Sequence, residues 1–370
     1  MSYGQILHDL ESWLRELAIG DGSDLHIKVG SAPMVRERGE LRRLPANPLS
    51  AEDTRNIASA IIPPDRRDRL ETEGEVDFAH SVPGVGRFRA NVFHQRGSTS
   101  MVLRKLRFGG PTFEELHLPD VARRLADEAR GLILVTGPTG CGKTTTLGAM
   151  IEHINNTRSV HIVTIEDPIE ILHEDKQASI NQREVGLDTN SFLSALRVAL
   201  RQDPDVILIG EMRDTETVRA ALQAAETGHL VLSTLHTLDT TETVNRIVDF
   251  FPPYQQNQIR MTLAGSLRGI ICQRLIPSTD GRRVPAVEAL VNTGRIAERI
   301  NDPALTAEIR DVVAEGGYYG MSTFEQSLLD LVKRKMLTVE DAMTSTSHPH
   351  DFRLMLEQAR MTEVGALKTI

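Results

Sequence analysis

The 370-residue sequence predicts an α/β protein in which a small α+β domain precedes a nucleotide-binding domain with C-terminal helices. A glycine-rich loop of the pattern G-x-x-x-x-G-K-[ST] lies between a short apolar run and a stretch compatible with a helix, as a phosphate-binding loop requires. After this loop, apolar β-branched runs alternate with helical patterns, which is typical of a parallel sheet. We expect a first domain at 1–108, an interdomain hinge at 109–112, the nucleotide-binding domain at 113–360 and a loose tail at 361–370.

The composition argues against several classes of protein. Lys and Arg total 42 against 51 Asp and Glu, and the net charge of −9 opposes a general nucleic-acid binder. The two cysteines, Cys141 and Cys272, are too few for a disulfide framework or a thiolate zinc site. No run of 18 apolar residues and no signal-peptide pattern is present, so we expect a cytoplasmic protein that does not span a membrane.

The first domain is predicted from helical and strand patterns. Apolar residues at helical spacing indicate a helix over Tyr3–Leu17. A second helix is predicted up to Ile62, with Ser50 as its N-cap and Asp53 three residues later. The strands are predicted at Ser23–Val29, Met34–Glu37, Val76–Ala79, Gly86–Arg96 and Ser100–Leu106.

Arginines accumulate on these strands. Arg87 and Arg89 share one face of a strand because side chains alternate, and Arg96 and Arg104 follow. Such a row could reach a phosphate in another subunit. It could also be a solvated strand face, which the residue pattern alone favours.

The glycine-rich loop has the composition that phosphate binding needs. Its glycines let backbone N–H groups turn inward without a Cβ in the way, and the following helix adds its N-terminal donors. Lys143 would place a charge on the β- and γ-phosphates, and the Thr144 hydroxyl suits Mg²⁺. The predicted phosphate-binding residues are Gly137, Pro138, Thr139, Gly140, Cys141, Gly142, Lys143, Thr144 and Thr145.

Three carboxylates follow the predicted buried strand Val160–Ile165. They are Glu166, Asp167 and Glu170, in the sequence TIEDPIE. Ligands bind outside the carboxyl ends of strands in open parallel sheets, so these side chains could hold Mg²⁺ or orient a water. The alternative is a surface acidic loop.

Two further strands end in residues that suit a nucleotide site. The run Val206–Ile209 is followed by Glu211, where a carboxylate can bind the metal and align and deprotonate an attacking water. His229 and His236 flank the run Leu230–Leu235, and a histidine at a strand end can bond a γ-phosphate or a carboxylate. We expect Thr144 and Glu211 to bind the metal and the histidines to respond to the nucleotide.

After Thr240 the sequence is predicted to be mostly helical, with one further apolar element near 267–276. The helices of the second domain are predicted at Phe113–Ala129, Ser191–Arg201, Thr215–Thr227, Glu242–Phe250, Pro253–Leu267, Leu290–Ile300, Ala304–Glu315, Thr323–Lys335 and Val339–Thr344.

Four motifs together resemble the secretion-superfamily ATPases that power type IV pili and type II secretion. GPTGCGKTTT, TIEDPIE, RQDPDVILIGEMRD and TGHLVLSTLHT are similar to that family's Walker A loop, Asp box, Walker B strand and His box, in the same order. GDGSDLHIKV and GRFRANVFHQR resemble its N-terminal PAS-like domain. The sequence is most similar to the pilus retraction branch, because it has no additional N-terminal domain, no four-cysteine element and a similar C-terminal segment, GGYYGMSTFEQSLLDLVKRKMLTVEDAM.

The resemblance implies a homohexamer of subunits with a PAS-like and a RecA-like domain, hydrolysing ATP with Mg²⁺. It also implies two kinds of partner, a pilus platform protein of the inner membrane and a paralogous accessory retraction ATPase, and so a place at the cytoplasmic face of that membrane. The residues that it assigns to catalysis are Glu211, Glu166, Asp167, Glu170, His229, His236, Arg89 and Arg104, with Arg87 and Arg96 as further arginines that would sense nucleotide.

Other functions remain open from the sequence. The Ala-Ile-Arg motif of retraction ATPases has its nearest match in Glu308-Ile309-Arg310, so an accessory retraction ATPase is one alternative. A pilus assembly or type II secretion ATPase is another. A RecA-type nucleic-acid motor is opposed by the acidic composition and by the lack of a basic, aromatic-interleaved stretch. A ring component that only binds nucleotide is opposed by Glu211.

Overall fold

The protein was analysed as a computed structural model, which describes residues 3–367 and the side chains of residues 4–359. The chain divides after Arg107 into two compact units, one residue before the predicted end of the first domain. A two-residue strand, Arg107–Phe108, spans this division. No helix among the described residues combines the length and apolar character needed to cross a membrane.

The first unit is built around a six-stranded antiparallel sheet. Its helices are α1 (Tyr3–Ile19), α2 (Ala51–Ile61) and α3 (Arg67–Glu73), and its strands are β1 (Gly22–Ile27), β2 (Met34–Glu37), β3 (Glu40–Arg43), β4 (Glu75–Val82), β5 (Gly86–Gln95) and β6 (Ser98–Lys105). The strand order is β3-β2-β1-β6-β5-β4. Apolar residues of α1 and α2, such as Leu14 and Ile57, pack on the inner face of the sheet around Phe88. Burying each such side chain contributes about 2 kcal/mol.

The predicted cap of α2 is confirmed. The Ser50 hydroxyl accepts a hydrogen bond from the Asp53 backbone N–H at 3.1 Å, and the Asp53 carboxylate accepts one from the Ser50 N–H at 2.9 Å. This reciprocal pair satisfies donors that the first turn of a helix otherwise leaves unpaired.

The second unit is organised on a seven-stranded sheet. The strands from the unit boundary onward are β7 (Arg107–Phe108), β8 (Gly131–Thr136), β9 (His161–Glu166), β10 (Ile171–Leu172), β11 (Ser179–Glu184), β12 (Val206–Ile209), β13 (Leu230–Leu235), β14 (Leu267–Pro277) and β15 (Arg283–Val291). The two short strands, β7 and β10, are not part of the seven-stranded sheet. The helices of this unit are α4 (Asp120–Ala126), α5 (Lys143–Thr157), α6 (Phe192–Ala199), α7 (Thr215–Glu226), α8 (Thr240–Asp249), α9 (Pro253–Ser266), α10 (Gly294–Asn301), α11 (Ile309–Glu315), α12 (Phe324–Lys333), α13 (Val339–Ser345) and α14 (Pro349–Leu367).

The order of this sheet is β11-β9-β12-β13-β8-β14-β15. All neighbours are parallel except β15, which pairs antiparallel with β14. Helices cover both faces, so β8, β12 and β13 are buried along their whole length. Leu132 and Leu134 pack against one helical layer, and Ile133 and Val135 pack against the other. Because the central strands run in parallel, their carboxyl ends lie at one edge of the sheet.

The helix predicted over Phe113–Ala129 is wrong in its first half, because α4 begins only at Asp120. Pro119 is the N-cap residue and has extended backbone angles. Pro119 also disfavours helical angles in the residue before it, Leu118. His117, one residue earlier, has a positive φ of 54°. Residues 113–119 therefore approach the helix as irregular chain.

Most of the chain after Thr240 is helical, as predicted, but the apolar element predicted near 267–276 is a strand, β14, and a second strand, β15, was not predicted. β14 and β15 form an antiparallel hairpin, and the helix predicted over Leu290–Ile300 begins at Gly294 instead. The segment Leu267–Ile276 is rich in apolar residues but has no clear period of two, so its pattern does not distinguish a buried strand from a helix. The hairpin extends the sheet beyond β8 and so takes part in the site described below.

The C-terminal region contains more helix than predicted. α14 was not predicted, and it continues as helix to Leu367 through most of the expected loose tail at 361–370. Residues 368–370 lie outside the described part of the chain. The helix predicted over Ala304–Glu315 is shorter, since α11 begins at Ile309 after a 3₁₀ turn.

Candidate nucleotide-binding site

The glycine-rich loop connects β8 to α5, as predicted. Gly137, Gly140 and Gly142 have positive φ angles of 139°, 78° and 92°, which residues other than glycine rarely adopt. A Cβ on Gly137 would also stand 2.3 Å from the carbonyl oxygen of Gln273. The loop conformation therefore requires these glycines, and Gly142 is the N-cap residue of α5.

Lys143 opens α5 and bends back over the loop. Its ammonium donates hydrogen bonds to the carbonyl oxygens of Gly137 at 2.8 Å and of Pro138 at 3.1 Å. The unpaired N–H groups at the start of α5 point toward the same region. A positive charge and a helix N-terminus thus coincide, which is the arrangement that binds phosphate.

The side chain of Gln273, in β14, supports the phosphate-binding loop through hydrogen bonds. This role of Gln273 was not predicted from the sequence. Its side chain is buried, with 1% exposed. The Nε2 atom donates to the Cys141 carbonyl oxygen at 2.6 Å, and the Oε1 atom accepts from the Thr146 hydroxyl at 2.8 Å. These bonds connect the centre of the loop to the first turn of α5.

A cavity of about 460 Å³ opens beside the loop, within the usual size range of small-molecule sites. It brings together most of the predicted residues of the second unit. The predicted residues that line it are Thr139, Gly140, Gly142, Lys143, Thr144, Thr145, Glu166, Asp167, Glu170, Glu211 and His236. Gly137, Pro138 and Cys141 belong to the loop but do not line the cavity. His173 and Arg283 line it and were not predicted.

Glu211 lies two residues beyond the end of β12, beside the loop. Its side chain is mostly buried, with 16% exposed, and forms an ion pair with Arg213. His236, one residue beyond β13, places its Nε2 atom 3.5 Å from the other carboxylate oxygen of Glu211. Arg213 donates a hydrogen bond to the Glu211 carboxylate, and this bond raises the pKa of Arg213.

The three Asp-box carboxylates have different surroundings. Glu166 is the last residue of β9 and is buried. The Thr164 hydroxyl and the Gln182 amide donate to its Oε1 atom at 2.6 and 3.2 Å. Burial raises the pKa of Glu166, so it tends to keep its proton, whereas Asp167 and Glu170 are exposed at the cavity.

The two predicted histidines lie at opposite ends of β13. His236 follows the carboxyl end and lines the cavity. His229 precedes the strand, and its Nδ1 atom is 2.9 Å from the Ala224 carbonyl oxygen. Six strand residues span about 20 Å, so His229 lies at the end of β13 away from the phosphate-binding loop, whereas His236 lies beside the loop.

Three of the predicted arginines, Arg87, Arg89 and Arg104, lie on β5 and β6, on the face of the first unit's sheet opposite to Phe88. In register, Arg89 of β5 faces Arg104 of β6, and Arg104 faces Asp24 of β1. Arg104 Nε donates to the Asp24 carboxylate at 2.7 Å. Arg87 Nε is buried and has no hydrogen-bond partner within the described residues. Arg96 lies in the turn after β5 with a φ of 51°.

A phosphate-binding loop at one parallel strand, with acidic residues at the ends of two others, defines a P-loop nucleotide-binding protein. Residues 49–316 match the sequence model of the Type II/IV secretion system protein family, and the chain belongs to this family. The family predicted from the four motifs is thereby confirmed.

The chain is also similar to individual pilus ATPases of known name. The chain is 43% identical over 344 residues to the type IV pilus retraction ATPase PilT of Pseudomonas aeruginosa, covering 93% of this chain and all of the relative. It is 39% identical over 363 residues to the type IV pilus ATPase PilU of the same organism, covering 98% of this chain and 95% of PilU. A crystal structure of the pilus retraction motor PilT with bound ADP is similar at a TM-score of 0.84 and 47% identity, covering 93% of this chain and 97% of that one. The predicted similarity to retraction ATPases is therefore confirmed.

Proposed function

We propose that this protein is a Mg²⁺-dependent ATPase motor that drives retraction of type IV pili. The observation that carries the proposal is the cavity in which the phosphate-binding loop, Glu211 and His236 meet, in a chain 43% identical to PilT over 93% of its length. In this proposal the first unit is the PAS-like domain and the second is the RecA-like ATPase domain.

Binding of ATP uses groups that are already placed. Lys143 exchanges its contacts with the Gly137 and Pro138 carbonyl oxygens for the β- and γ-phosphates. The backbone N–H groups of the loop and of the first turn of α5 surround the remaining phosphate oxygens. Gln273 keeps the loop in this conformation through its two hydrogen bonds.

The donor set fits a magnesium ion shared with the substrate. No group of three or more His, Cys, Asp and Glu side chains that could hold a metal occurs within the described residues. Mg²⁺ typically takes one or two protein oxygens together with substrate phosphates and waters, which the Thr144 hydroxyl and the Glu211 carboxylate would supply. When bound, the ion neutralises charge that develops on the phosphates.

Hydrolysis requires a water in line with the γ-phosphate. Glu211, paired with Arg213, aligns that water and accepts its proton as the water oxygen bonds to the terminal phosphorus and the bond from that phosphorus to ADP breaks. His236, 3.5 Å from Glu211, holds the carboxylate and responds to the γ-phosphate. Asp167 and Glu170 orient water at the open side of the cavity.

The proposed assembly is a homohexamer. Arg89 and Arg104 of one subunit would neutralise charge on the nucleotide of the next, as an arginine finger does. Arg104 must then exchange its contact with Asp24 for phosphate. The domain angle would change at residues 109–112, and the ring would act on the pilus platform protein of the inner membrane, at its cytoplasmic face.

Counting surface pili in cells that carry Glu211→Gln tests this function. We expect surplus pili and loss of twitching, because assembly continues while retraction stops. Bald cells would instead make the protein an assembly ATPase. Exposed Glu216, at the start of α7, provides a control in Glu216→Gln that should retain normal pili.

An accessory retraction ATPase is a second candidate, because PilU matches 98% of this chain at 39% identity. In that case the Glu211→Gln cells would keep retraction as long as another retraction ATPase is present. Deleting the gene for this protein and measuring the remaining retraction speed separates the two functions.

A further inference from the structure

Glu152 of α5 lies at the centre of a buried polar cluster behind the nucleotide cavity. Its side chain is 8% exposed, and its carboxylate forms an ion pair with Lys176. The Asn156 amide also donates to its Oε1 atom at 3.2 Å. Burial raises the pKa of Glu152, but hydrogen bonds from Lys176, His173 and Gly110 outweigh this effect and hold the pKa at about 2.

The other carboxylate oxygen of Glu152, Oε2, contacts both a residue of the nucleotide cavity and the segment expected to join the two domains. Glu152 Oε2 lies 3.1 Å from His173 Nδ1, and His173 lines the nucleotide cavity although its side chain is only 4% exposed. The same oxygen accepts a hydrogen bond from the backbone N–H of Gly110 at 3.1 Å. Gly110 belongs to the segment 109–112 at which the two domains are expected to join.

The segment is packed tightly on the helix of the phosphate-binding loop. A Cβ on Gly110 would stand 2.3 Å from the carbonyl oxygen of Gly148 in α5. The backbone N–H of Gly109 donates to the Leu172 carbonyl oxygen at 2.8 Å, one residue before His173. Two adjacent backbone donors and one glycine contact therefore fix this segment to α5 and to the chain that follows the Asp box.

We propose that Glu152 is a positioning residue that joins the interdomain segment at Gly110 to the nucleotide cavity through His173. A shift of His173 or of α5 on hydrolysis then moves the segment, because all three share one carboxylate. The inference rests on the proposed ATPase function and adds to it the route by which nucleotide state reaches the hinge.

Glu152→Gln tests the route in the full-length protein, since the substitution keeps the shape and removes the charge. We expect peptides covering residues 106–112 to exchange amide hydrogen faster than in the unchanged protein, with and without ADP. We also expect kcat for ATP to fall about tenfold while KM changes less than about twofold, because the phosphate-binding loop is untouched. The matched control is Asp127→Asn, which removes the charge of the carboxylate 2.7 Å from His153, another residue of α5, and should leave both quantities unchanged.

Gly110→Ala provides a second route to the same result. The added methyl group would collide with Gly148 and lift the segment from α5, while Gly265→Ala adds a methyl group into open space and serves as the control. If Glu152→Gln does not fold, Gly110→Ala decides the question. Unchanged exchange over 106–112 in a folded variant would overturn the proposal, whatever its kcat.

The exchange measurement without nucleotide keeps the two proposals separate. Lys143→Ala should abolish hydrolysis yet leave exchange over 106–112 as slow as in the unchanged protein. Full ATPase activity in Lys143→Ala would refute the proposed function alone. Slow exchange in Glu152→Gln would refute the positioning role alone.

Discussion

The buried amide of Gln273 and the hydroxyl of Thr146 are joined by a hydrogen bond of 2.8 Å, although 127 residues separate them. The other end of the same amide donates to the Cys141 carbonyl oxygen at 2.6 Å. β14, which carries Gln273, is paired in parallel with β8, which leads into the loop. The glycines give the phosphate-binding loop its shape, and a strand formed much later in the chain holds that shape in place.

Gln273→Leu should weaken ATP binding more than chemistry. The change leaves the Cys141 carbonyl and the Thr146 hydroxyl buried without a partner, which costs about 1–3 kcal/mol of stability. Because the loop is then free to deviate, we expect KM for ATP to rise about tenfold in steady-state assays. Exposed Gln202 provides the control in Gln202→Ala. A variant of normal KM and reduced kcat would contradict the assigned role.

Glu211→Gln should separate binding from hydrolysis. The amide cannot accept the proton of the attacking water, and a general base typically contributes about 10²–10⁴-fold. We expect a loss of this size in single-turnover hydrolysis, with an affinity for fluorescent ADP that stays within about threefold. Parallel losses of hydrolysis and of ADP affinity would place Glu211 in binding instead.

His236→Ala should reduce hydrolysis more than His229→Ala. His236 lies 3.5 Å from Glu211, whereas His229 bonds the Ala224 carbonyl oxygen at the other end of β13. We expect kcat to fall about tenfold for His236→Ala. His229→Ala should mainly lower the unfolding temperature and should have little effect on kcat. For this comparison kcat is measured at a temperature well below unfolding. An equal loss of kcat in a stable His229→Ala protein would contradict this distinction between the two histidines.

Local motifs allowed much of this site to be predicted from the sequence. The pattern around Lys143 fixes a loop between a strand and a helix, and Glu211 follows a run of four apolar residues. Each of these residues is placed by its neighbours in the chain, so a short window contains the information. The parallel order of the strands then brings the predicted groups to one edge.

The residues that the sequence did not reveal come from distant parts of the chain. Gln273 and Arg283 belong to the hairpin β14–β15, whose strands were not predicted as such. His173 lies in irregular chain after the Asp box and is identified only by the cavity that it lines. A glutamine or a histidine in these positions has no distinctive pattern, because its partners are fixed by tertiary contacts.

Glu166→Gln should change the pH dependence of stability. Burial raises the pKa of Glu166 in the folded state, so the folded protein holds this proton more tightly than the unfolded chain does. Stability from this group is present below the ordinary glutamate pKa and is lost as pH rises through the folded-state value. The variant cannot lose a proton there, so its free energy of unfolding relative to the unchanged protein should increase with pH. Urea denaturation at several pH values measures this, and a constant difference would contradict it.

The two cysteines should react slowly with alkylating reagents in the folded protein. Cys141 lies inside the phosphate-binding loop but is 3% exposed, and burial raises the pKa of its thiol. Burial raises the pKa of Cys272 to about 12, so roughly one thiol in 10⁴ is ionised at pH 8. Since the thiolate is the reactive form, we expect ATPase activity to survive iodoacetamide treatment that labels both cysteines rapidly in urea. Cys141→Ser is the matched control, because it retains the small side chain and removes the thiol. Rapid labelling of Cys141 with loss of activity, absent in Cys141→Ser, would show that the loop opens in solution and exposes this thiol.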